Sequence, residues 1–211
     1  MNVELKRGRG AVTRFLDQVY GDSRWTRAAV HDWLRAIRPP YVVDVNRDTQ
    51  LQDSYADTPH TLIVGVARVT GDGTRYRLFA WDGEKYTPTS DLAPGQPILF
   101  KPMGTPRPGG AGYIASDADY VDYITELMGG FAIPPTLKTL RQGKRYLLMG
   151  LRLNRDTERM VMADIIYAAH TPPGWVLIAE PTAKEERFCA RLGLEIIRAD
   201  IGELIGETAM A

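Results

Sequence analysis

Five short apolar runs constrain this chain more than anything else in it. They are Tyr41-Val42-Val43-Asp44-Val45, Pro97-Ile98-Leu99-Phe100-Lys101, Tyr146-Leu147-Leu148-Met149, Trp175-Val176-Leu177-Ile178-Ala179 and Leu194-Glu195-Ile196-Ile197. Each has strand length, and helical patterns lie between them. Such an alternation predicts an α/β fold: a three-layer, Rossmann-like, mostly parallel sheet covered on both faces by helices. At 211 residues the chain suits one such domain, spanning 1–211.

The helical segments carry their own punctuation. Residues 11–20 read as a short helix closed by Gly21-Asp22. Ser23 is placed to cap a second helix through Ile37, in which Trp25, Ala29, Trp33 and Ile37 recur every fourth residue, with Val30 and Leu34 beside them, as a buried stripe. Pro39-Pro40 stops it. Ser116 caps a helix from Asp117 to about Met128, and another runs from Asp156 to Ala169. Thr182 and Glu185 form a T-x-x-E capping box for the next. Residues 62–87 break the alternation. There Leu62–Val69, the turn Gly71-Asp72-Gly73, Tyr76–Trp81 and the turn Asp82-Gly83 predict a small antiparallel β-meander insertion. Residues 1–10 are charged and Gly-rich, without the apolar core of a secretory signal, and are expected to be flexible.

Charge and cysteine count narrow the function classes. Lys plus Arg and Asp plus Glu both number 26, which argues against a nucleic-acid partner held by bulk charge. The basic residues Lys6, Arg7, Arg9 and Arg107 read as solvated surface. The single cysteine, Cys189, excludes an intrachain disulfide and a multi-cysteine zinc site, and reads as a small buried apolar residue. No apolar run approaches the ~20 residues that span a bilayer, so a soluble cytoplasmic protein is expected. His31, His60 and His170 lack metal-pair spacing, and Asp117, Asp119 and Asp122 suit a helix N-terminus, so no metal is expected.

In parallel α/β sheets, ligands sit beyond the carboxyl ends of strands. The residues in those places are Asn46 and Asp48, Met103 and Gly104, Gly150 to Arg152, and Glu180-Pro181. Asn46 is both donor and acceptor and suits a ribose hydroxyl or an amide. Asp48 suits a ligand or a turn cap. Gly150 allows close backbone approach or simply ends a strand. Arg152 suits a phosphate or a solvated surface. The Pro- and Gly-rich loop 102–112 is expected to be mobile.

These stretches resemble the sirtuin-like superfamily, whose domains bind and cleave NAD. Val42–Asp48 looks like the family strand ending in Thr-Thr-Asn-x-Asp. Lys101-Pro102-Met103-Gly104 sits where the family has Lys-Leu-His-Gly. Ser116–Tyr120 is similar to the helix start that follows, and Tyr146–Leu153 to the strand and Gly-x-Ser turn near the adenosine ribose. Three departures stand beside these likenesses. The amino-terminal strand and its Gly-Ala-Gly-x-Ser loop have only Val3-Glu4-Leu5 and Gly8-Arg9-Gly10 as candidates. Met103 replaces the catalytic histidine and cannot accept a proton. No zinc ribbon can be built.

The resemblance therefore implies a degenerate sirtuin-like domain without deacetylase activity. Asn46, Asp48, Gly104, Gly150 and Arg152 are its candidate contacts to an NAD- or ADP-ribose-like ligand. Two other readings stand open. One is an NAD-cleaving hydrolase in which Asn46 orients water and His31, Asp48 or Asp117 replaces the lost base. The other is a structural subunit completed by a protein partner or a second copy of the chain.

Overall fold

The computed structural model describes residues 8–22, 26–68, 71, 73–110, 112–128 and 132–206. The chain divides into two compact units, Met1–Ile133 and Pro134–Ala211. Val3, Glu4, Leu5, Lys6, Arg7, Ser23, Trp25, Val69 and Asp72, all singled out in the sequence, lie outside the described residues.

The first unit begins with α1 (Arg9–Asp17), continued by a π-helical turn, Gln18–Asp22, and then α2 (Ala29–Ile37). There follow β1 (Tyr41–Val43), α3 (Gln50–Ser54), β2 (His60–Gly65), β3 (Tyr76–Trp81), β4 (Tyr86–Pro88), β5 (Ile98–Lys101) and α4 (Asp117–Met128). The strands form one sheet in the order β1-β5-β2-β3-β4. β5 pairs in parallel with both β1 and β2, with Leu99 opposite Val42 on one side and Leu62 on the other. β2 and β5 are buried along their whole lengths, as continuous apolar strands between two neighbours should be.

One face of this sheet presents Leu62, Val64, Phe79 and Leu99 to Leu51 and Tyr55, one turn apart on and just after α3, with Leu34 of α2 alongside. Leu34, which the sequence places in that helix stripe, is packed against this core, and Trp33 is half-buried. Ile37 is 52% exposed, and no described residue of α2 is fully buried. The helix ends because Arg38 turns left-handed (φ 49°), its amide bonded to the Leu34 carbonyl.

The second unit holds α5 (Pro135–Leu140), β6 (Tyr146–Leu148), α6 (Asp156–Ile165), β7 (Gly174–Leu177), α7 (Ala183–Leu192), β8 (Glu195–Ile197) and α8 (Ile201–Ile205). Its three strands are all parallel in the order β6-β7-β8, joined by the helical crossovers that parallel pairing requires. The Thr182–Glu185 capping box forms as read from the sequence, and Gly193 closes α7 in the left-handed conformation. α6 stops at Ile165, shorter than expected, and Ala168 just beyond it adopts φ 63°.

The α/β class holds, but the expected single, mostly parallel sheet is corrected to two sheets, of which the larger is mixed. The meander is no insertion beside the sheet either. β2 joins β5 in parallel on one side and β3 antiparallel on the other, so the meander is the sheet's own continuation. Short turns force this, because they can join only antiparallel neighbours.

At the amino end of β2, His60 is fully buried among Tyr55, Trp81 and Tyr86. Its Nδ1–H donates to the Thr58 carbonyl (2.8 Å), which leaves Nε2 to accept from the Tyr86 hydroxyl (2.8 Å). Burial pushes the imidazole below its ordinary range, partly opposed by the Thr58 carbonyl, and pushes Tyr86 up to about 12. The unfolded chain therefore takes up a proton at His60 before the native chain does. This contribution to stability is complete above about pH 6.5 and is lost as the pH falls through the lower native value. Thermal melts of the wild type should show that decline, and His60→Gln should remove its share of the slope. A variant with an unchanged slope would contradict the buried neutral assignment.

Candidate functional site

Parallel pairing brings the carboxyl ends of β1, β5 and β2 to one edge of the first unit's sheet. A buried charge organises that edge. Lys101, the last residue of β5, is 0% exposed, and its Nζ donates to Asp44 Oδ2 at 2.6 Å and to the Asp48 carbonyl at 2.9 Å. Asp44, 10% exposed, uses its other oxygen to accept the Asn46 amide at 2.9 Å. Its own amide continues the β1–β5 ladder to the Phe100 carbonyl. One lysine thus fixes both ends of the loop that leaves β1. A lysine is rarely buried unless paired, and Asp44 is the partner that makes this burial tolerable.

The loop is held from its other sides as well. Arg47 Nη2 donates to the Ile114 carbonyl and to the Tyr120 hydroxyl (3.0 Å). Asp48 Oδ1 accepts the Gln50 amide at 2.9 Å, which is the turn-capping role rather than a free ligand contact. Asn46 is the exception. Its side chain is exposed and makes no hydrogen bond among the described residues. A held loop carrying one free amide offers two donors and an acceptor at little ordering cost.

The next two candidates are structural in their surroundings. Met103 is 4% exposed, and its carbonyl accepts the Ile114 amide. The Met103 side chain is buried and carries no basic atom. Gly104 takes φ 88° and pairs antiparallel with Tyr113. A Cβ there would stand 2.3 Å from the Gly112 carbonyl oxygen. That glycine is required by the close approach of its own loop. The loop expected to be mobile is tied down instead. Gln52 Nε2 donates to the Arg107 carbonyl (2.6 Å), Arg107 pairs with Asp53, and Arg77 donates to the Gly110 carbonyl (3.1 Å).

Gly150 and Arg152 belong to the second unit, beyond the carboxyl end of β6. Gly150 is exposed at φ 68°, and a Cβ on it would sit 3.4 Å from Ile201 Cδ1. Arg152 is exposed and makes no hydrogen bond among the described residues. Its charge reaches Glu185, a fully buried carboxylate that accepts the Thr182 amide (2.9 Å) and hydroxyl (2.8 Å). Burial works against the charge on Glu185. The Thr182 donors, with the Leu153 amide and Arg152, outweigh it and hold the carboxyl below its ordinary range. Arg159, stacked over Phe188, donates to the Leu153 carbonyl at 3.0 Å and pairs with Asp156.

The remaining sequence candidates fall elsewhere. Asp119 closes the start of α4 by accepting the Ala115 and Ser116 amides, while Ser116 Oγ accepts the Asp119 amide. Cys189 is buried, and burial pushes its thiol up. Among the described residues no group of three His, Cys, Asp or Glu side chains is placed to hold a metal ion, and no helix is long and apolar enough to cross a membrane.

A family model described as the SIR2-like domain matches residues 41–197, from the first residue of β1 to the last of β8. No curated protein matches the chain.

Breaking the clasp from one side strands the other charge in the interior, which typically costs about 3–5 kcal/mol. Lys101→Met should therefore lower stability by about that amount in chemical denaturation. The pair Asp44→Asn with Lys101→Met should recover most of the loss. A single variant within about 0.5 kcal/mol of wild type would show that the ion pair holds nothing.

Proposed function

The chain belongs to the SIR2-like domain family, and from that premise we propose that it is a degenerate sirtuin-like module that binds an NAD- or ADP-ribose-like ligand without deacetylase chemistry. The observation that carries this reading is the free, exposed Asn46 amide on a loop otherwise fixed by Lys101, Arg47 and Asp48. The residues present fit a ribose hydroxyl or a carboxamide, because Asn46 can donate and accept at once. They fit the family's base chemistry poorly, because Met103 offers no basic atom and is buried. NAD, when bound, supplies a cleavable bond between nicotinamide and ribose, and this chain's part is to bind and orient. In the second unit, Gly150 and Arg152 are proposed as contacts for an anionic group, to be tested separately by Arg152→Ala. A cytoplasmic protein partner or a second copy of the chain is the proposed reader of the bound state. β1, an edge strand among the described residues, offers backbone for such pairing.

A second reading is favoured by one observation. His31 Nδ1 is buried without a hydrogen-bond partner on α2. The Ala28 amide, at the start of that helix, donates to Gln50 Oε1 (3.2 Å), just beyond the Asn46–Asp48 loop. In an NAD-cleaving hydrolase, His31 would take the proton from a water oriented by Asn46. His31→Ala would then abolish nicotinamide release.

Asn46→Ala should weaken ADP-ribose binding about tenfold, the worth of one well-made polar contact, and shrink the ligand-induced rise in Tm accordingly. An undiminished rise in Tm would place the ligand elsewhere. Met103→His should leave NAD uncleaved in a proton NMR time course, because the imidazole would be buried. A large gain in nicotinamide release would instead mark a dormant hydrolase site.

A further inference from the structure

The opposite edge of the first unit's sheet carries a cavity of about 580 Å³, within the range of small-molecule sites. Pro39, just ahead of β1, and Pro97, immediately before β5, form part of its wall, with Arg35, Arg38, Tyr55 and Asp32. It lies at the amino ends of β1 and β5, whereas Asn46 lies beyond a carboxyl end. Two features of its lining are hard to explain by packing alone. Tyr55 is 2% exposed, yet its hydroxyl has no hydrogen-bond partner, although buried hydroxyls nearly always find one. Arg38 occupies a left-handed helix stop (φ 49°), a position that ordinarily belongs to glycine.

The charges of the lining define the occupant. Arg35 pairs with Asp57, and Asp32 pairs with Arg27 at 3.2 Å. Among the described residues Arg38 forms no ion pair, so one positive charge of the lining is left uncompensated there. A single carboxylate balances it and accepts two parallel hydrogen bonds from the guanidinium. A doubly charged phosphate monoester would overshoot it. The prolines and the Tyr55 ring supply apolar wall for an organic body, and the Tyr55 hydroxyl supplies one more donor.

We propose that this cavity binds a small organic monocarboxylate, held by the Arg38 guanidinium and the Tyr55 hydroxyl. The site is separate from the Asn46 edge and does not rest on the SIR2-like reading. The fold uses the Tyr55 ring but neither its hydroxyl nor the Arg38 side chain. Tyr55→Phe keeps the ring and removes an unpaired buried hydroxyl. Arg38→Gly relieves the left-handed backbone. Both variants should therefore melt at or above the wild-type Tm.

The test uses three probes that share one ring: benzoate, phenyl phosphate and benzamide. Binding to the intact chain is measured by saturation-transfer NMR and by titration. Benzoate should bind more tightly than phenyl phosphate or uncharged benzamide. Tyr55→Phe and Arg38→Gly should each weaken it about tenfold while leaving the fold intact. Arg38→Lys, which keeps the charge and loses the fork, should also weaken it and serves if the glycine variant fails to fold. Absence of benzoate binding, equal affinity in the variants, or tighter binding of phenyl phosphate would each overturn the proposal.

Discussion

The hydrogen bond and charge pairing between Lys101 and Asp44 is the interaction on which the carboxyl edge of the first unit's sheet depends. A lysine ammonium wholly removed from water is tolerable only with an anion and further acceptors beside it. Asp44 and the Asp48 carbonyl are those acceptors. Because Asp44 spends its second oxygen on the Asn46 amide, the same pair sets the backbone of the residue that faces solvent. β5 must stand beside β1 for this to happen, so the parallel register of Tyr41 with Ile98 and Val43 with Phe100 precedes the site. The order of causes runs from strand pairing, to a buried charge, to one presented amide.

The two edges of that sheet are chemically unlike. At the carboxyl edge, polar loops are held close to the strands and Asn46 is left free. At the amino edge, His60 closes an aromatic cluster with Tyr55, Trp81 and Tyr86, and beside Tyr55 lies the cavity with Arg35 and Arg38. Parallel strands impose this polarity, since every carboxyl end of a parallel set faces the same way. β3 and β4 dilute it because they run by short turns back and forth, and they extend the sheet past β2.

Much of the local structure was legible in the sequence. The apolar runs at 41–45, 97–101, 146–149, 175–179 and 194–197 all contain strands, and the Thr182–Glu185 box caps its helix. These features depend on residues close together along the chain. What the sequence concealed depends on partners far apart. Nothing local to Leu62–Gly65 states that β5 will be its parallel neighbour, or that β6, β7 and β8 will form a sheet of their own. The loop after β5 looked free because of its prolines and glycines, yet Gln52, Asp53 and Arg77 hold it, and all three lie more than 30 residues away. Asn46 was singled out from its place after a strand. Asp44, Arg47 and Lys101, which fix it there, were passed over because a charged residue at a strand end reads as solvated unless its burial is known.

The most direct test of this account observes the Asn46 amide itself. The sequence contains three asparagines, at positions 2, 46 and 154, so a chain labelled with nitrogen-15 only in asparagine gives a readable side-chain spectrum. The Asn46 signals can be assigned from Asn46→Ala. On addition of ADP-ribose, the Asn46 side-chain pair should shift with a saturable dependence while those of Asn2 and Asn154 stay in place. Binding that leaves the Asn46 pair unmoved would contradict the claim that the Lys101–Asp44 clasp exists to present this residue to a nucleotide.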